Sequence, residues 1–246
     1  MTLALASIAA ARSVRVTPPL QHSSPGSALR FDDRGLVPAI AQDALTGEVR
    51  MVAYMNREAF ELTVATREAT FFSRSRNALW KKGETSGNTL AVRAIHLDCD
   101  GDCVVLLVEP AGPSCHTGAE SCFYRVLDPE TDTWREGERP LPFAERLEAV
   151  LLARKESTGT KSYTRKLLDG GAALIGSKLR EEADELARAI DHESDEHVTS
   201  EAADVMYHAM VGLIARARSW RTVLAELARR FGTSGIDEKA ARRKKP

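Results

Sequence analysis

Three carboxylates and four thiols lie within twenty-five residues in the middle of this chain. The segment DCDGDC occupies residues 98–103, and SCHTGAESC follows at residues 114–122. Carboxylate oxygens suit a hard cation such as Mg²⁺, whereas thiolates suit Zn²⁺. If residues 98–103 form a regular strand, the aspartates project from one face and the cysteines from the other. The spacing therefore favours two metal sites of different chemistry, placed back to back.

The cysteines favour metal binding over disulfides, because all of them fall in one short segment of a long chain. Three thiolates would leave zinc a position for water, whereas four would close a structural site. Spacing slightly disfavours a structural site, and buried free thiols are the remaining alternative. The residues are Cys99, Cys103, Cys115 and Cys122.

A calcium loop is disfavoured for the aspartates. Asp98, Asp100, Asp102 and Glu109 match positions of an EF-hand, but Cys103 stands where that loop needs glycine. The apolar run after it is typical of a strand.

Short mixed elements must position these residues. Between Gly35 and Arg125 the sequence predicts a hairpin, a helix and two further strands, hence an α+β fold with an antiparallel sheet. The segments, in that order, are residues 36–43 with 48–55, 56–69, 89–98 and 103–110.

The second half has a helical period throughout and no convincing strand, which predicts an all-α helical bundle. The helical segments are residues 143–157, 171–190, 199–219 and 221–231. The polar stretch 128–142 is interpreted as a linker. The predicted organisation is an extension over 1–27, a first domain over 28–127, this linker, and a second domain over 143–246.

Composition excludes several classes of protein. The chain has 246 residues, 43% of them apolar, and a net charge of −1, so no basic surface for nucleic acid or an anionic membrane is expected. No apolar run approaches the roughly 20 residues of a membrane span. We expect residues 1–27 to be a poorly ordered extension of a cytoplasmic protein. Their Arg-containing, acid-free composition leaves a transit peptide, for an organelle such as a plastid, and a secretory signal as alternatives.

Three motifs together closely resemble the phosphoribosyl-AMP cyclohydrolase family of histidine biosynthesis, over roughly residues 30–125. They are SRSRNALWKKGETSGN (73–88), DCDGD (98–102) and GPSCHTGAESCF (112–123). The resemblance implies Zn²⁺ on Cys99, Cys115 and Cys122, and Mg²⁺ on Asp98, Asp100 and Asp102. Cys103 lies outside the family pattern, and a role as fourth ligand is left open.

The implied reaction opens an adenine ring with water. Zinc lowers the pKa of bound water to about 7, so zinc-activated water would be an adequate nucleophile. His116 is the nearby group that could transfer a proton near neutral pH, and it is interpreted as catalytic, with a structural role as the alternative.

The polar run WKKGETSGN, residues 80–88, is interpreted as the substrate-binding segment. Its glycines allow close approach of the backbone, and its lysines, hydroxyls and amide suit a phosphoribosyl group. Trp80 could stack on the base or belong to the core. The predicted substrate-binding residues here are Trp80, Lys82, Glu84, Thr85, Ser86 and Asn88.

Acidic stripes mark two helices of the second half. One carries Lys178, Glu181, Glu182 and Glu185, and the other carries Glu201, Asp204 and His208. Like charges at these helical spacings cost about 0.2–0.5 kcal/mol per pair, and a bound cation would offset that cost. A solvated helix face is the alternative.

A second resemblance, over roughly residues 143–243, is to phosphoribosyl-ATP pyrophosphohydrolase. It rests on SYTRKLLDGG (162–171), KLREEADE (178–185), EAADVMYH (201–208) and SGIDEKAAR (234–242). It implies Mg²⁺ on Glu182, Glu185, Glu201 and Asp204, with Glu182 as candidate base and Lys178 as a phosphate contact. Arg180 departs from the small residue usual at its position.

The two implied reactions are consecutive. The second domain would hydrolyse phosphoribosyl-ATP to phosphoribosyl-AMP and pyrophosphate, and the first would open the ring of phosphoribosyl-AMP. The expected partners are these small substrates and a second copy of the chain, as a homodimer. The rival hypothesis is a zinc-stabilised binding module fused to a general nucleotide pyrophosphohydrolase or to a helical interaction bundle.

Overall fold

The computed structural model describes residues 25–137, 139–156 and 162–231. Most of the predicted N-terminal extension and the motif at 234–242 lie outside these ranges. Residues Pro25–Ala28 form a short 3₁₀ helix, so the last part of the predicted extension has regular structure.

The N-terminal region is built on one six-stranded sheet. The strands are β1 Val37–Asp43, β2 Val49–Met55, β3 Thr70–Ser73, β4 Ala78–Lys81, β5 Leu90–Leu97 and β6 Val104–Pro110. Their order across the sheet is β4-β3-β2-β1-β6-β5. Every neighbouring pair is antiparallel except β1 and β6. The predicted α+β class with an antiparallel sheet is therefore confirmed, with one parallel pair added.

Helix α1, Arg57–Thr66, covers part of this sheet. Asn56 caps it by accepting a hydrogen bond from the Ala59 backbone N–H at 2.8 Å. The helix ends at Arg67, whose φ of 59° is left-handed. Phe60 joins a core formed mainly by alternate residues of the central strands.

A second, two-stranded sheet lies partly inside the segment interpreted as a linker. Its strands are β7 Arg125–Asp128 and β8 Thr133–Glu136, paired antiparallel. Their side chains are mostly exposed on both faces, so no apolar alternation marks them in the sequence. The β3–β4 hairpin was likewise not predicted, because each of its strands has only four residues.

The C-terminal region is helical, and its described residues contain no strand. The helices are α2 Phe143–Glu156, α3 Tyr163–Asp169, α4 Gly171–His192, α5 Asp195–Ala215 and α6 Trp220–Arg230. α4 and α5 pack along each other, and a small core joins them to α2 and α3. α3 was not predicted as an element, since seven residues are too few for a clear period. No described helix is long and apolar enough to cross a bilayer.

The two regions contact each other through charged side chains. Arg221 of α6 pairs with the buried Asp43 at 2.7 Å. Arg139, which follows β8, pairs with Glu48 at 2.9 Å. The first ion pair joins the end of β1 to the helical region, and the second joins the residue before β2 to the segment that leads into α2.

Candidate active sites

One cavity of about 490 Å³ in the N-terminal region collects the residues of two sequence motifs. It is lined by all six substrate-binding residues predicted from WKKGETSGN. It is also lined by two of the predicted zinc ligands and by His116. These residues are Trp80, Lys82, Glu84, Thr85, Ser86, Asn88, Cys115, His116 and Cys122.

The loop after β4 is shaped by a glycine that nothing else can replace. Gly83 has a φ of +84°, and an added Cβ would lie 2.5 Å from the backbone of Asn88 and Thr89. This close approach folds the loop back on itself, and the Gly87 N–H donates to the Gly83 carbonyl at 2.8 Å. The Lys82 ammonium donates to the Asn88 carbonyl at 3.0 Å. The loop therefore presents its polar groups to one cavity.

Trp80 contacts both the core of the sheet and the cavity, the two environments considered for it. Its ring centroid lies 5.1 Å from that of Phe71, and it packs against the sheet core. It is only partly buried, and it also lines the cavity. A core contact thus holds the ring beside the cavity.

Cys115 and Cys122 lie at opposite ends of one loop. The Cys115 N–H donates to the Ala119 carbonyl at 3.0 Å, and the Cys122 N–H donates to the Arg50 carbonyl at 2.8 Å. Burial acts to raise the pKa of the Cys115 thiol, but hydrogen bonds from Thr117 outweigh it and lower that pKa. Burial, with the neighbouring Cys115, raises the pKa of Cys122 to about 11. Cys115 is thus the thiol that ionises first.

Two buried cations face this pair of sulfurs. Burial lowers the pKa of Lys82, and the negative charges of Cys122 and Cys115 oppose that shift. Arg50, only 3% exposed, lies close enough for its charge to lower the pKa of Cys122. These cations favour the thiolate forms, but at Cys122 burial and the neighbouring Cys115 outweigh them.

Arg50 was missed by sequence reasoning, because it belongs to strand β2 and not to a motif. Its guanidinium donates to Ser114 Oγ at 3.2 Å and to the Gly112 carbonyl at 3.2 Å. It also pairs with Glu48 at 3.1 Å and with Glu120 at 2.6 Å. Arg50 therefore fixes the loop that carries both thiols.

The aspartates come together in the connection between β5 and β6. This segment is a turn, so the hypothesis of a strand with opposite faces does not hold. The ligand oxygens of Asp98, Asp100 and Asp102 all lie within 4.8 Å of one another. Asp98 accepts hydrogen bonds from the N–H groups of Gly101 at 2.9 Å and Cys103 at 3.1 Å. The turn thus gathers three carboxylates that the sequence assigned to Mg²⁺.

A hydrogen bond and mutual repulsion link the carboxylates of this turn. A hydrogen bond with Asp98, followed by the charge of Asp100, raises the pKa of Asp102. Burial opposes ionisation of Asp98, but hydrogen bonds led by the Cys103 N–H outweigh it and lower its pKa. A divalent cation would offset the repulsion between these groups.

Cys99 does not join Cys115 and Cys122 within the described part of one chain. No group of three metal-ligating atoms within 4.8 Å contains these sulfurs. Cys99 is exposed, and its sulfur lies 3.9 Å from Asp100 Oδ1. Cys103 is half-buried, and burial raises the pKa of its thiol. One chain therefore assembles only two of the three predicted zinc ligands.

A second acidic cluster forms where α4 packs on α5. Ligand oxygens of Glu182, Glu201 and Asp204 all lie within 4.8 Å of one another. Burial raises the pKa of Glu182; His208 opposes this shift, and the charges of Asp204 and Glu185 add to it. Carboxylates from two helices thus converge as the acidic stripes predicted.

Glu185 and Lys178, two other predicted site residues of α4, lie at the edge of the acidic cluster. Glu185 is not part of the three-residue cluster, and its carboxylate lies 3.5 Å from Arg188. Lys178 pairs with Glu181 at 2.7 Å. Glu185 and Lys178 remain close enough to Glu182 for their charges to affect its pKa.

His208 connects the acidic cluster to α3. It is buried, its Nδ1 lies 2.9 Å from the Asp204 carbonyl, and its Nε2 lies 3.1 Å from the Tyr163 hydroxyl. Its Nδ1 also lies 3.9 Å from Glu182. Tyr163 was not predicted as a site residue, although SYTRK belonged to a recognised motif. The Tyr163 hydroxyl and the Asp204 carbonyl thus orient the imidazole, which lies beside the partly buried Glu182 carboxylate.

Comparisons with known proteins match both regions. The phosphoribosyl-AMP cyclohydrolase family model matches residues 51–124, and the phosphoribosyl-ATP pyrophosphohydrolase family model matches residues 144–231. The match to the second family includes α2 to α6 apart from Phe143, and the match to the first includes the whole lining of the cavity.

Several relatives carry both regions in one chain. The chloroplastic histidine biosynthesis bifunctional protein hisIE of Arabidopsis thaliana is 46% identical over 224 residues, which cover 88% of this chain and 79% of the relative. The HisIE protein of Wolinella succinogenes is 45% identical, covering 87% and 95%. That of Bacillus subtilis is 44% identical, covering 85% and 97%. The chain belongs to this bifunctional family of histidine biosynthesis, with phosphoribosyl-AMP cyclohydrolase and phosphoribosyl-ATP diphosphatase activities.

Proposed function

We propose that the 490 Å³ cavity binds phosphoribosyl-AMP and is the cyclohydrolase active site. The observation that carries this proposal is the meeting of two separate motifs: every substrate-binding residue predicted from WKKGETSGN lines the same cavity as two thiols and His116. Trp80 offers a ring face for the base. Thr85, Ser86 and Asn88 offer neutral hydrogen-bonding groups for the ribose.

Lys82 is the proposed cation of the substrate cavity. One of its three N–H groups donates to the Asn88 carbonyl, which leaves two for a ligand. Its burial removes competing water, so its attraction to an anionic substrate is stronger than that of an exposed lysine.

The donor set fits zinc. Cys115 and Cys122 provide soft sulfur ligands on the same cavity, and Cys99 would be the third. When bound, Zn²⁺ acts as a Lewis acid that lowers the pKa of water to about 7. Asp98, Asp100 and Asp102 would hold Mg²⁺ through oxygen ligands.

His116 is proposed as the group that moves a proton during ring opening. It lies at the exposed rim of the cavity, and its Nδ1 is 3.9 Å from Cys115 Sγ. From there its imidazole can take a proton from the attacking water and deliver it to the leaving ring nitrogen.

The acidic cluster between α4 and α5 is proposed as the diphosphatase site. Glu182, Glu201 and Asp204, with Glu185 at the edge, would hold Mg²⁺, which neutralises phosphate oxygens of phosphoribosyl-ATP. Glu182 is the proposed base, because it lies in the cluster, partly buried and 3.9 Å from His208 Nδ1. Lys178 would contact phosphate. The helical region that carries this site would be an all-α bundle.

We further propose that a second copy of the chain supplies Cys99 to each zinc site. This follows from the separation of Cys99 from Cys115 and Cys122 within one chain. The active form would then be a homodimer with two cyclohydrolase sites.

Mixed dimers test this arrangement. Cys99→Ala and Cys115→Ala proteins, each inactive as cyclohydrolase, are unfolded together and refolded. A mixed dimer has one intact and one doubly defective site, so random pairing should restore about a quarter of the wild-type activity. Mixing Cys115→Ala with Cys122→Ala is the matched control and should restore nothing. Restoration in neither mixture would contradict the shared site.

We propose a cytoplasmic location, with a plastid as the alternative if residues 1–27 are removed after import. The Arabidopsis relative is named chloroplastic. Intact-mass measurement of the protein from its own cells decides between these, because import would remove the leading residues.

A further inference from the structure

A second cavity, of about 780 Å³, adjoins the candidate cyclohydrolase cavity. The two share Arg76 and Trp80 among their lining residues. The second cavity is lined by three arginines, Arg34, Arg74 and Arg76, and by the hydroxyls of Ser73 and Ser75. No carboxylate lines it. We call these five residues the arginine cluster.

Turns at the sheet edge place the arginine cluster. Arg74 and Arg76 lie in the connection between β3 and β4, and Arg34 lies in the turn before β1. The Arg74 guanidinium lies 4.0 Å above the Tyr54 ring. Arg76 Nε donates to Ser73 Oγ at 3.4 Å. These contacts orient two of the guanidiniums and still leave most of their N–H groups available.

The charge of the arginine cluster is not neutralised. Within the described residues, none of its three guanidiniums lies within 4.0 Å of a carboxylate. Other arginines of the same region differ in this respect: Arg50 and Arg93 pair with carboxylates, whereas Arg57 donates to a backbone carbonyl. Three unpaired guanidiniums around one cavity repel one another, and an anion bound among them would offset that repulsion. Guanidinium N–H groups match phosphate oxygens in pairs.

The cyclohydrolase substrate carries two phosphates, one on the AMP ribose and one on the added phosphoribosyl group. The candidate cavity is lined by Lys82, by Lys81, which pairs with Glu68, and by Arg76, which it shares with the second cavity. Among the described residues, Lys82 is the one of these three that lines the candidate cavity alone and has no ion pair. We propose that the arginine cluster binds one of the two substrate phosphates, while the adjoining cavity holds the adenine ring and the other phosphate. This inference rests on the proposal that the adjoining cavity is the cyclohydrolase site.

A thermodynamic cycle between protein and substrate tests the proposal. The value of kcat/KM is measured for phosphoribosyl-AMP and for its two analogues that each lack one phosphate, with wild type and with Arg76→Gln and Arg74→Gln. Arg218→Gln, an exposed arginine of the helical region, is the control with the same change of charge. Each cluster variant should lose about tenfold to hundredfold with the full substrate, the range expected for one charge-assisted contact.

The analogues decide whether the contact is to a substrate phosphate. If it is, one analogue should be turned over equally well by wild type and variants, because its missing phosphate is the partner of the arginine. If the variants lose the same factor with both analogues, the arginine cluster binds neither phosphate and the proposal is wrong.

A free anion is the alternative ligand for the arginine cluster, because it offers the same phosphate oxygens as the substrate. Pyrophosphate, the product of the second domain, is added as an inhibitor of the cyclohydrolase reaction. Inhibition that is lost in Arg76→Gln, together with equal losses for both analogues, would assign the cluster to free pyrophosphate and overturn the inference.

A parallel variant separates failure of this inference from failure of the proposed cyclohydrolase site. Lys82→Met should reduce kcat/KM with the full substrate and with the analogue that lacks the phosphate assigned to the arginine cluster, if the adjoining cavity binds substrate. If Lys82→Met has wild-type kinetics, the proposed site itself is wrong, whatever the arginine variants do.

Discussion

At the scale of single residues, Arg50 shows how a buried charge can set the geometry of a site that it need not touch. Its guanidinium reaches Ser114 and Gly112 on one side and Glu48 on the other, and its carbonyl accepts from the Cys122 N–H. The loop carrying both thiols is thus tied to strand β2 near each end. A buried charge network of this kind is costly to break by removing one member.

We expect Arg50→Met to lower the free energy of unfolding by about 3 kcal/mol, because it leaves the buried Glu48 without one of its two cations. It should also weaken zinc retention, since the thiol loop loses its anchor. Arg50→Lys should recover part of the stability but less of the zinc, because an ammonium cannot reproduce the fork of hydrogen bonds. Thermal unfolding and metal content measure these two effects.

Arg93→Met is the matched control for Arg50, because the Arg93–Glu109 ion pair is exposed. Such pairs contribute less than about 1 kcal/mol. Equal losses for both variants would show that the network around Arg50 has no special role.

At the scale of elements, the loop between β4 and β5 shapes the substrate cavity. Gly83 and Gly87 both have left-handed φ values, but their surroundings differ. A Cβ at Gly83 would meet backbone atoms at 2.5 Å, whereas a Cβ at Gly87 would meet nothing within 4 Å. The two positions therefore separate backbone strain from steric exclusion.

We expect Gly87→Ala to cost about 1–2 kcal/mol, the strain of a left-handed residue with a side chain. Gly83→Ala should cost more and should abolish cyclohydrolase activity, because the loop must open to accept the methyl group. The diphosphatase activity of both variants should persist. Assays of the two reactions on each variant check this; equal activity of the two variants would mean that close packing at Gly83 does not shape the cavity.

The elements also show what the sequence can and cannot predict. The β1–β2 hairpin, α1 and the four longer helices were predicted because each has a clear period and length. The motif residues around Trp80 and Asn88 lie close together in the chain, so their meeting was expected. Arg50 lies 64 positions before Ser114, and its role depends on which segments meet in the fold. Residues 98–103 were interpreted as a possible strand because the aspartates occupy alternate positions. That interpretation overlooked Gly101, whose φ of +83° turns the chain.

At the scale of the whole molecule, charged residues join the two regions. Arg221 binds the buried Asp43, and Glu145 of α2 lies in the adjoining cleft with an oxygen that has no hydrogen-bond partner. Burial raises the pKa of Glu145 above its usual 4.5; a backbone hydrogen bond opposes this shift, and the charges of Glu148, Asp43 and Glu48 add to it. Glu145 therefore opposes the contact between the regions when it is ionised.

We expect Glu145→Gln to stabilise the protein by about 1 kcal/mol at neutral pH, since it removes a poorly compensated charge. A carboxyl with a raised folded-state pKa binds more protons in the folded than in the unfolded state, so it makes the wild type less stable as pH rises from 4.5 through that pKa. The advantage of the variant should thus vanish in acid. Thermal unfolding against pH measures it, with the exposed Glu156→Gln as control; a pH-independent advantage would contradict the account.

The central claim is that each reaction has its own site in one chain. The most direct measurement follows phosphoribosyl-ATP by product chromatography with wild type, Cys115→Ala and Glu182→Ala, in Zn²⁺ and Mg²⁺. We predict that Cys115→Ala accumulates phosphoribosyl-AMP, whereas Glu182→Ala leaves phosphoribosyl-ATP uncut but still opens the ring of supplied phosphoribosyl-AMP. Loss of both reactions in either folded variant, or loss of neither, would contradict the assignment of these two sites.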